Sequence, residues 1–229
     1  MTVTNPGPTV DYLRSVTYHM PTGFVANTNN VALCSQAAAT AGTCATPAVG
    51  TASASVGTNA EQYTISGSVY NVTPNASEPA RFQAIIPVTV GPYNLGNMTV
   101  PISGSLRASD YGIDLATTLR TRYEGIAVRI KKLDITLMGI APSTGKPFVS
   151  VPSKCQNNTV TANMTSDTGS AATRTSSITT TGCPRNFVVA PTVGVTSTPS
   201  DTTVPTGLGV TIGSDPQNST ISRFQLALP

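Results

Sequence analysis

The chain has 229 residues, of which 13 are basic and 10 acidic, so its formal net charge is only +3. This charge is too small for the basic surface that nucleic-acid binding requires, and 39% apolar residues argue against a disordered chain. Ser and Thr together contribute 59 residues, and Gly with Pro a further 37 (19 and 18), which argues against a helical bundle. We therefore expect an all-β protein.

Apolar and polar residues alternate along the first two thirds of the chain, which predicts strands. The clearest strand covers residues 82–90, where Pro87 predicts a sheet edge or a bulge. A later alternating run, residues 126–137, changes phase at Lys131 and Lys132. A single extra residue in one strand has this effect, so we expect a β-bulge there.

Two short segments have helical rather than strand character. Residues 35–43 are rich in alanine. Residues 115–123 place Leu115, Leu119 and Tyr123 at spacings of four, which predicts a short helix crossing one end of the sheets.

The composition changes after Gly145, where a turn-rich connection leads into a region of small, polar and β-branched residues. Short strands separated by turn residues are typical of a sandwich, and we expect them at 148–151, 159–165, 174–181, 192–198, 207–212 and 221–228. We therefore predict two β-sandwich domains: a larger one over residues 1–147 with the helical insertion near 115–123, and an immunoglobulin-like one over 148–229.

The four cysteines fall into two local pairs, Cys34 with Cys44 and Cys155 with Cys183. An even count in so polar a chain favours two disulfides, one in each domain, and an oxidising compartment. Four free buried thiols in a cytosolic protein are the alternative. No run of apolar residues approaches the length of a membrane span, so we expect no membrane-spanning segment.

One strand pattern occurs at both ends of the chain, with a shared final proline and an offset of 208 residues. Residues 13–21 and 221–229 carry it through the apolar side chains of Leu13, Val16, Tyr18, Met20, Ile221, Phe224, Leu226 and Leu228. We interpret these as assembly strands that meet head to tail between copies, or between neighbouring repeats of a longer chain. Strands that merely complete their own sandwiches are the alternative.

The sequence contains few candidates for catalytic groups. His19 is the only imidazole and lies on the outward phase of a strand, and no Gly-x-Ser-x-Gly motif presents a nucleophile. Asp110, Asp114 and Glu124 are candidates for a cation site or a pair of catalytic carboxylates, but pairing with neighbouring arginines accounts for them more simply. We expect no enzyme activity, no metal and no cofactor.

A sugar is the one ligand for which the sequence offers contacts. Tyr111 and Tyr123 lie in the charge-rich segment of residues 107–125 and are candidates to line a sugar groove, although packing in the core or at its rim accounts for them more simply. A surface glycan is therefore a candidate partner.

Several motifs along the chain resemble those of large, tandemly repeated secreted surface proteins of actinomycete-type bacteria, and they span almost its whole length. They are Met20–Asn27, Gly67–Asn71, Glu78–Phe82, Ser109–Ile113, Lys146–Phe148 and Pro205–Leu208. The resemblance implies repeated β-sandwich modules with local disulfides in long extracellular chains, and it supplies no catalytic residue. We accordingly expect a secreted or cell-surface structural module of a stalk, fibre or filament. An adhesin or carbohydrate-binding module acting through loops and residues 107–125 is the alternative.

Overall fold

A computed structural model describes residues 1–4, 12–57, 63–90, 92–120, 122–123, 126–127, 129–152, 155–182, 192–198, 203 and 207–213. The strands are β1 (Thr2–Thr4), β2 (Leu13–His19), β3 (Val25–Ala26), β4 (Gly50–Gly57), β5 (Tyr63–Val72), β6 (Ala80–Val90), β7 (Tyr93–Leu106), β8 (Ile113–Thr118), β9 (Arg122–Tyr123), β10 (Ile126–Ala127), β11 (Arg129–Leu137), β12 (Val149–Ser150), β13 (Asn157–Ser166), β14 (Ala171–Thr179), β15 (Thr192–Thr198) and β16 (Gly207–Gly213). The helix α1 covers Gln36–Ala41, after a 3-10 turn at Thr28–Asn30.

The main structural element is a ten-stranded antiparallel sheet. Its strands follow the order β1-β11-β4-β5-β6-β7-β8-β2-β13-β14. Strands β4 to β8 form a meander, in which the longest ladder, between β6 and β7, brings Phe82, Ala84 and Ile86 opposite Ile102, Val100 and Met98. All six are buried on one face of the sheet. The expectation of an all-β protein is confirmed.

The sheet curls, so that strands far apart in its order come close to one another. Tyr18 on β2 lies near enough to Asp134 on β11 for the carboxylate to act on the phenol, although five strands separate β2 from β11. Burial, together with this negative charge, raises the pKa of Tyr18 to about 12. One buried cluster fills the inside of the curl, where Phe82 packs edge-to-face on Phe148 with ring centres 6.1 Å apart.

The predicted bulge at Lys131 and Lys132 is confirmed, and of the two alternatives predicted at Pro87, a sheet edge or a bulge, the register shift favours the bulge. The β11–β4 register shifts between Ile130 and Lys132, and the extra residue puts both Ile130 and Leu133 in the core. The β6–β7 register shifts between Pro87 and Thr89, where the proline lacks a ladder N–H.

The prediction of a helix over residues 115–123 is wrong. Residues 113–118 form β8, paired with β7 on one side and β2 on the other. Leu115 and Thr117 alternate with exposed or half-buried neighbours and are buried, and hydrogen bonding to two strands outweighs the helical spacing. The alanine-rich helix is confirmed as α1, which Ser35 caps at its N-terminus and Gly42 ends in the left-handed conformation.

The chain divides into two compact units, Met1–Thr181 and Gly182–Pro229. The sequence predicts a domain boundary near residue 147, but the division between the two units falls after Thr181. The reason is that β13 pairs with β2 and continues the large sheet beyond residue 147. In the second unit, the described residues form a two-stranded sheet of β15 and β16. The immunoglobulin-like sandwich over 148–229 stays a prediction.

Candidate functional site

The candidate site lies at one end of β2, β8 and β13 and is built on the turn between β7 and β8. Backbone bonds from Arg107 N to Gly112 O and from Tyr111 N to Arg107 O, 2.8 and 2.9 Å long, close this turn. Tyr111 has a φ of 57°, the only positive φ among the described non-glycine residues, and its side chain is 76% exposed. We call residues 107–112 the Arg107 turn.

Arg107 uses all its N–H donors inside the protein. Nε and Nη2 donate to the two carboxylate oxygens of Asp110 at 2.9 and 3.0 Å, and Nη1 donates to Asp114 Oδ1 at 2.5 Å. The two remaining bonds go to the carbonyl oxygens of Met20 (2.8 Å) and Ile113 (3.2 Å). Five bonds saturate the guanidinium, which is the geometry that a planar donor fork favours.

The electrostatic consequences follow from this pairing. Bonding to Asp110 is the main reason why the pKa of Arg107 rises above its ordinary value. The same bonds hold the pKa of Asp110 below its usual range, with help from the backbone N–H of Gly112. Arg107 and Asp110 are therefore ionised and paired with each other at neutral pH.

His19 joins this cluster to β13. Its Nδ1 lies 2.8 Å from Asp114 Oδ1, and its Nε2 lies 2.9 Å from Asn163 Nδ2. Because a carboxylate can only accept, Nδ1 carries the proton and Asn163 donates to Nε2. Thr173 on β14 donates to Asn163 Oδ1 and completes the chain of bonds. With both ring nitrogens engaged, His19 connects β8, β2 and β13.

Beside this cluster lies a polar cleft of about 400 Å³. It is bounded by the end of β2, by the Arg107 turn and by the start of β13, and its lining residues are His19, Met20, Pro21, Thr22, Arg107, Asp110, Gln156, Asn157, Asn158, Thr159 and Thr161. Apart from Met20 and Pro21, every one of them carries a polar side chain. This arrangement suits a ligand that both donates and accepts hydrogen bonds.

Two of the three acidic residues singled out from the sequence pair with an arginine. Asp110 and Asp114 both bond to Arg107, and Glu124 lies outside the described residues. Among the residues that the structure describes, no group of three or more His, Cys, Asp or Glu side chains is placed to hold a metal ion.

Of the two candidate tyrosines, Tyr111 is largely exposed beside the cleft residue Asp110. Tyr123 belongs to the short strand β9, and its side chain is not among those that the structure describes.

The Cys34–Cys44 disulfide is confirmed, with Cα atoms 5.6 Å apart. Cys155 is also disulfide-bonded, while Cys183 lies outside the described residues. A disulfide is typical of a non-reducing environment such as the outside of a cell. Within the described part of the chain, no helix has the length and apolar character that crossing a membrane requires.

The first assembly strand, β2, has neighbours on both sides. It pairs with β8 and with β13, and Val16 and Met20 are buried. Leu13 and Tyr18 pack against the same core. The second copy of the pattern, residues 221–229, lies outside the described residues. Both hydrogen-bonding edges of β2 are therefore already used within its own sheet.

Sequence reasoning did not single out the β13 residues that line the cleft. The run Asn157-Asn158-Thr159 is an N-x-S/T glycosylation sequon, but this sequence signal does not predict a ligand cleft. Comparison with protein-family models, with curated proteins and with solved structures found no match to this chain.

Proposed function

We propose that the protein is a non-catalytic extracellular structural module that extends a stalk, fibre or filament by pairing sheet edges between copies or repeats. The supporting observation is the strand β14. Among the described residues it pairs only with β13, and no described strand lies along its other edge. A strand with an unpaired edge is a template for a strand of another chain.

The composition of β14 suits this role. The strand contains neither proline nor glycine, eight of its nine side chains are exposed, and Arg174 is its only charged residue. Natural sheet edges that avoid pairing carry several charges, a proline or a bulge, and β14 has one charge alone. A second copy of this chain is the occupant that we propose for the β14 edge.

The test adds charge to this edge. In Ala172→Lys with Ser176→Lys, three positive side chains lie on the face of β14 that carries Arg174, because these residues alternate along the strand. We expect the unmodified chain to associate with rising concentration in sedimentation velocity, and the double variant to stay monomeric.

Thr51→Lys is the matched control. Thr51 is an exposed residue on β4, which is paired on both sides, with Thr136 and with Ser68. This variant should associate like the unmodified chain. An unmodified chain that is monomeric at millimolar concentration would overturn the proposal.

The second function that we propose is binding of a surface glycan through loops and residues 107–125. The supporting observation is Tyr111, a mostly exposed aromatic side chain that the saturated Arg107 turn holds in a left-handed conformation. Aromatic faces pack on the apolar faces of sugar rings, and a preordered turn lowers the entropic cost of binding. Saturable oligosaccharide binding that Tyr111→Ala removes would support this function.

A further inference from the structure

We propose that the polar cleft binds a neutral oligosaccharide, held by a row of amide and hydroxyl groups on β13. The inference rests on the glycan-binding function proposed above and gives that function a site whose ligand contacts come from β13 rather than from Tyr111. It also predicts that the ligand is uncharged.

The cleft exists because β2 ends before β13 does. The β2–β13 ladder ends at the pair His19 and Thr161, and the backbone N–H of Met20 turns away to bond Ile113 O at 2.8 Å. The preceding part of β13, residues 157–160, pairs only with β14 among the described strands. The cleft therefore occupies the place where a longer β2 would have continued the sheet.

The charged groups around the cleft make an ionic ligand a poor fit, because they are already paired with one another. All five N–H groups of Arg107 are engaged, so none is left to bind a phosphate, sulfate or carboxylate. Both oxygens of Asp110 accept from the same guanidinium. An anion would have to compete with two internal carboxylates for Arg107, and a cation would have to compete with Arg107 for Asp110.

Uncharged polar groups remain available in the cleft. Among the described contacts, the hydroxyls of Thr22, Thr159 and Thr161 have no hydrogen-bond partner in the protein. Asn157 uses its amide oxygen to accept from Thr179, which leaves its NH₂ group for a ligand. Hydroxyls both donate and accept, and so do the hydroxyls of a sugar.

Three of these groups form a row. Asn157, Thr159 and Thr161 alternate along β13, so they lie on one face of the strand with about 6.8 Å between successive side chains. His19 belongs to the same face, since it pairs directly with Thr161. A row of this length suits an extended ligand of two or three linked sugar rings, while Pro21 supplies an apolar wall beside it.

The experiment removes the hydroxyls without changing side-chain shape. In Thr159→Val with Thr161→Val, valine keeps the branched outline and the strand preference of threonine. The probes are cellotriose and maltotriose as neutral ligands and trigalacturonate as an acidic one, in calorimetric titrations of the full chain. We expect a neutral probe to bind and the double variant to weaken that binding roughly tenfold to a hundredfold.

Thr51→Val with Thr64→Val is the matched control, because both residues are exposed strand threonines outside the cleft. This variant should bind like the unmodified chain, and amide NMR shifts on binding should map to residues 157–161. Cooperative thermal unfolding of every variant checks that the fold is kept.

Three outcomes would overturn the cleft as the site. They are binding of the acidic probe alone, undiminished neutral binding in the Thr159→Val and Thr161→Val variant, and no binding of any probe. If neutral binding survives that variant but is lost in Tyr111→Ala, the glycan-binding function stands and the cleft on β13 does not.

Discussion

At the scale of single residues, the Arg107 turn depends on one glycine. A Cβ atom built on Gly112 would lie 1.8 Å from Arg107 Nη2 and 2.5 Å from Cζ. The guanidinium has no free direction in which to move, because its donors bond to two carboxylates and two carbonyl groups. Gly112 is thus required by close approach, while the neighbouring Tyr111 takes the positive φ.

We therefore predict that Gly112→Ala lowers the free energy of unfolding by about 2 kcal/mol, since one hydrogen bond to a charged group is worth roughly 1.5–3 kcal/mol. Urea unfolding monitored by circular dichroism measures this change. Gly139→Ala is the control, because nothing lies within 4 Å of a Cβ at Gly139, and it should change stability by less than about 0.5 kcal/mol. Equal stabilities for the two variants would contradict this account of the turn.

At the scale of elements, a short disulfide-closed segment carries α1. Cys34 bonds through its backbone to β5: its N–H donates to Asn71 O at 2.8 Å, and its carbonyl accepts from Thr73 N at 3.0 Å. Asn97 on β7 donates to Gly42 O just after the helix. A helix of six residues is too short to be stable alone, so these ties and the Cys34–Cys44 bond keep it in place.

We predict that Cys34→Ala with Cys44→Ala lowers the free energy of unfolding by about 2.8 kcal/mol, the loop entropy that closing residues 34–44 into a loop removes from the unfolded chain. Hydrogen exchange by mass spectrometry should show the loss of protection concentrated in residues 34–44. The remaining sheet should keep its protection pattern. A double variant as stable as the unmodified chain would show that the backbone ties to β5 suffice.

At the scale of the whole molecule, β13 and β14 belong with the first unit although residues 138–156 separate them from the earlier strands. Val16 on β2 lies opposite Met164 on β13 and is only 1% exposed. Arg14 also bonds Asp167 beyond β13, at 3.0 Å. Removal of β13 would therefore expose one edge of β2 and part of the core beneath it.

We predict that a chain shortened to residues 1–147 loses cooperative thermal unfolding, whereas one shortened to residues 1–190 keeps it. The physical reason is that only the longer chain supplies the β13 partner of β2. Circular dichroism melts of the two shortened chains and the full chain measure the difference. Cooperative unfolding of the 1–147 chain near the temperature of the full chain would instead support the boundary at residue 147.

The sequence by itself determined the local features of this protein, because they depend on neighbouring residues. Period-two alternation identified most strands, a change of phase located the bulge beside Lys131, and cysteine spacing paired Cys34 with Cys44. The tertiary structure decided which strands pair. Leu115 and Leu119 have helical spacing in the sequence, but Leu115 lies on β8 and Leu119 follows the end of that strand. Hydrogen bonds to β7 and β2 outweigh the local preference for a helix.

The candidate site could not be predicted from the sequence for the same reason, since it depends on contacts between distant segments. Its parts lie in three segments: His19, the Arg107 turn and the start of β13. They come together because β8, β2 and β13 are neighbours in the sheet. The sequence showed that acidic residues stand near Arg107, but it contained no sign that one guanidinium would bond to two of them and to the carbonyl oxygens of Met20 and Ile113. Long-range contacts determine where β2 stops and where β13 continues, and that difference in length creates the cleft.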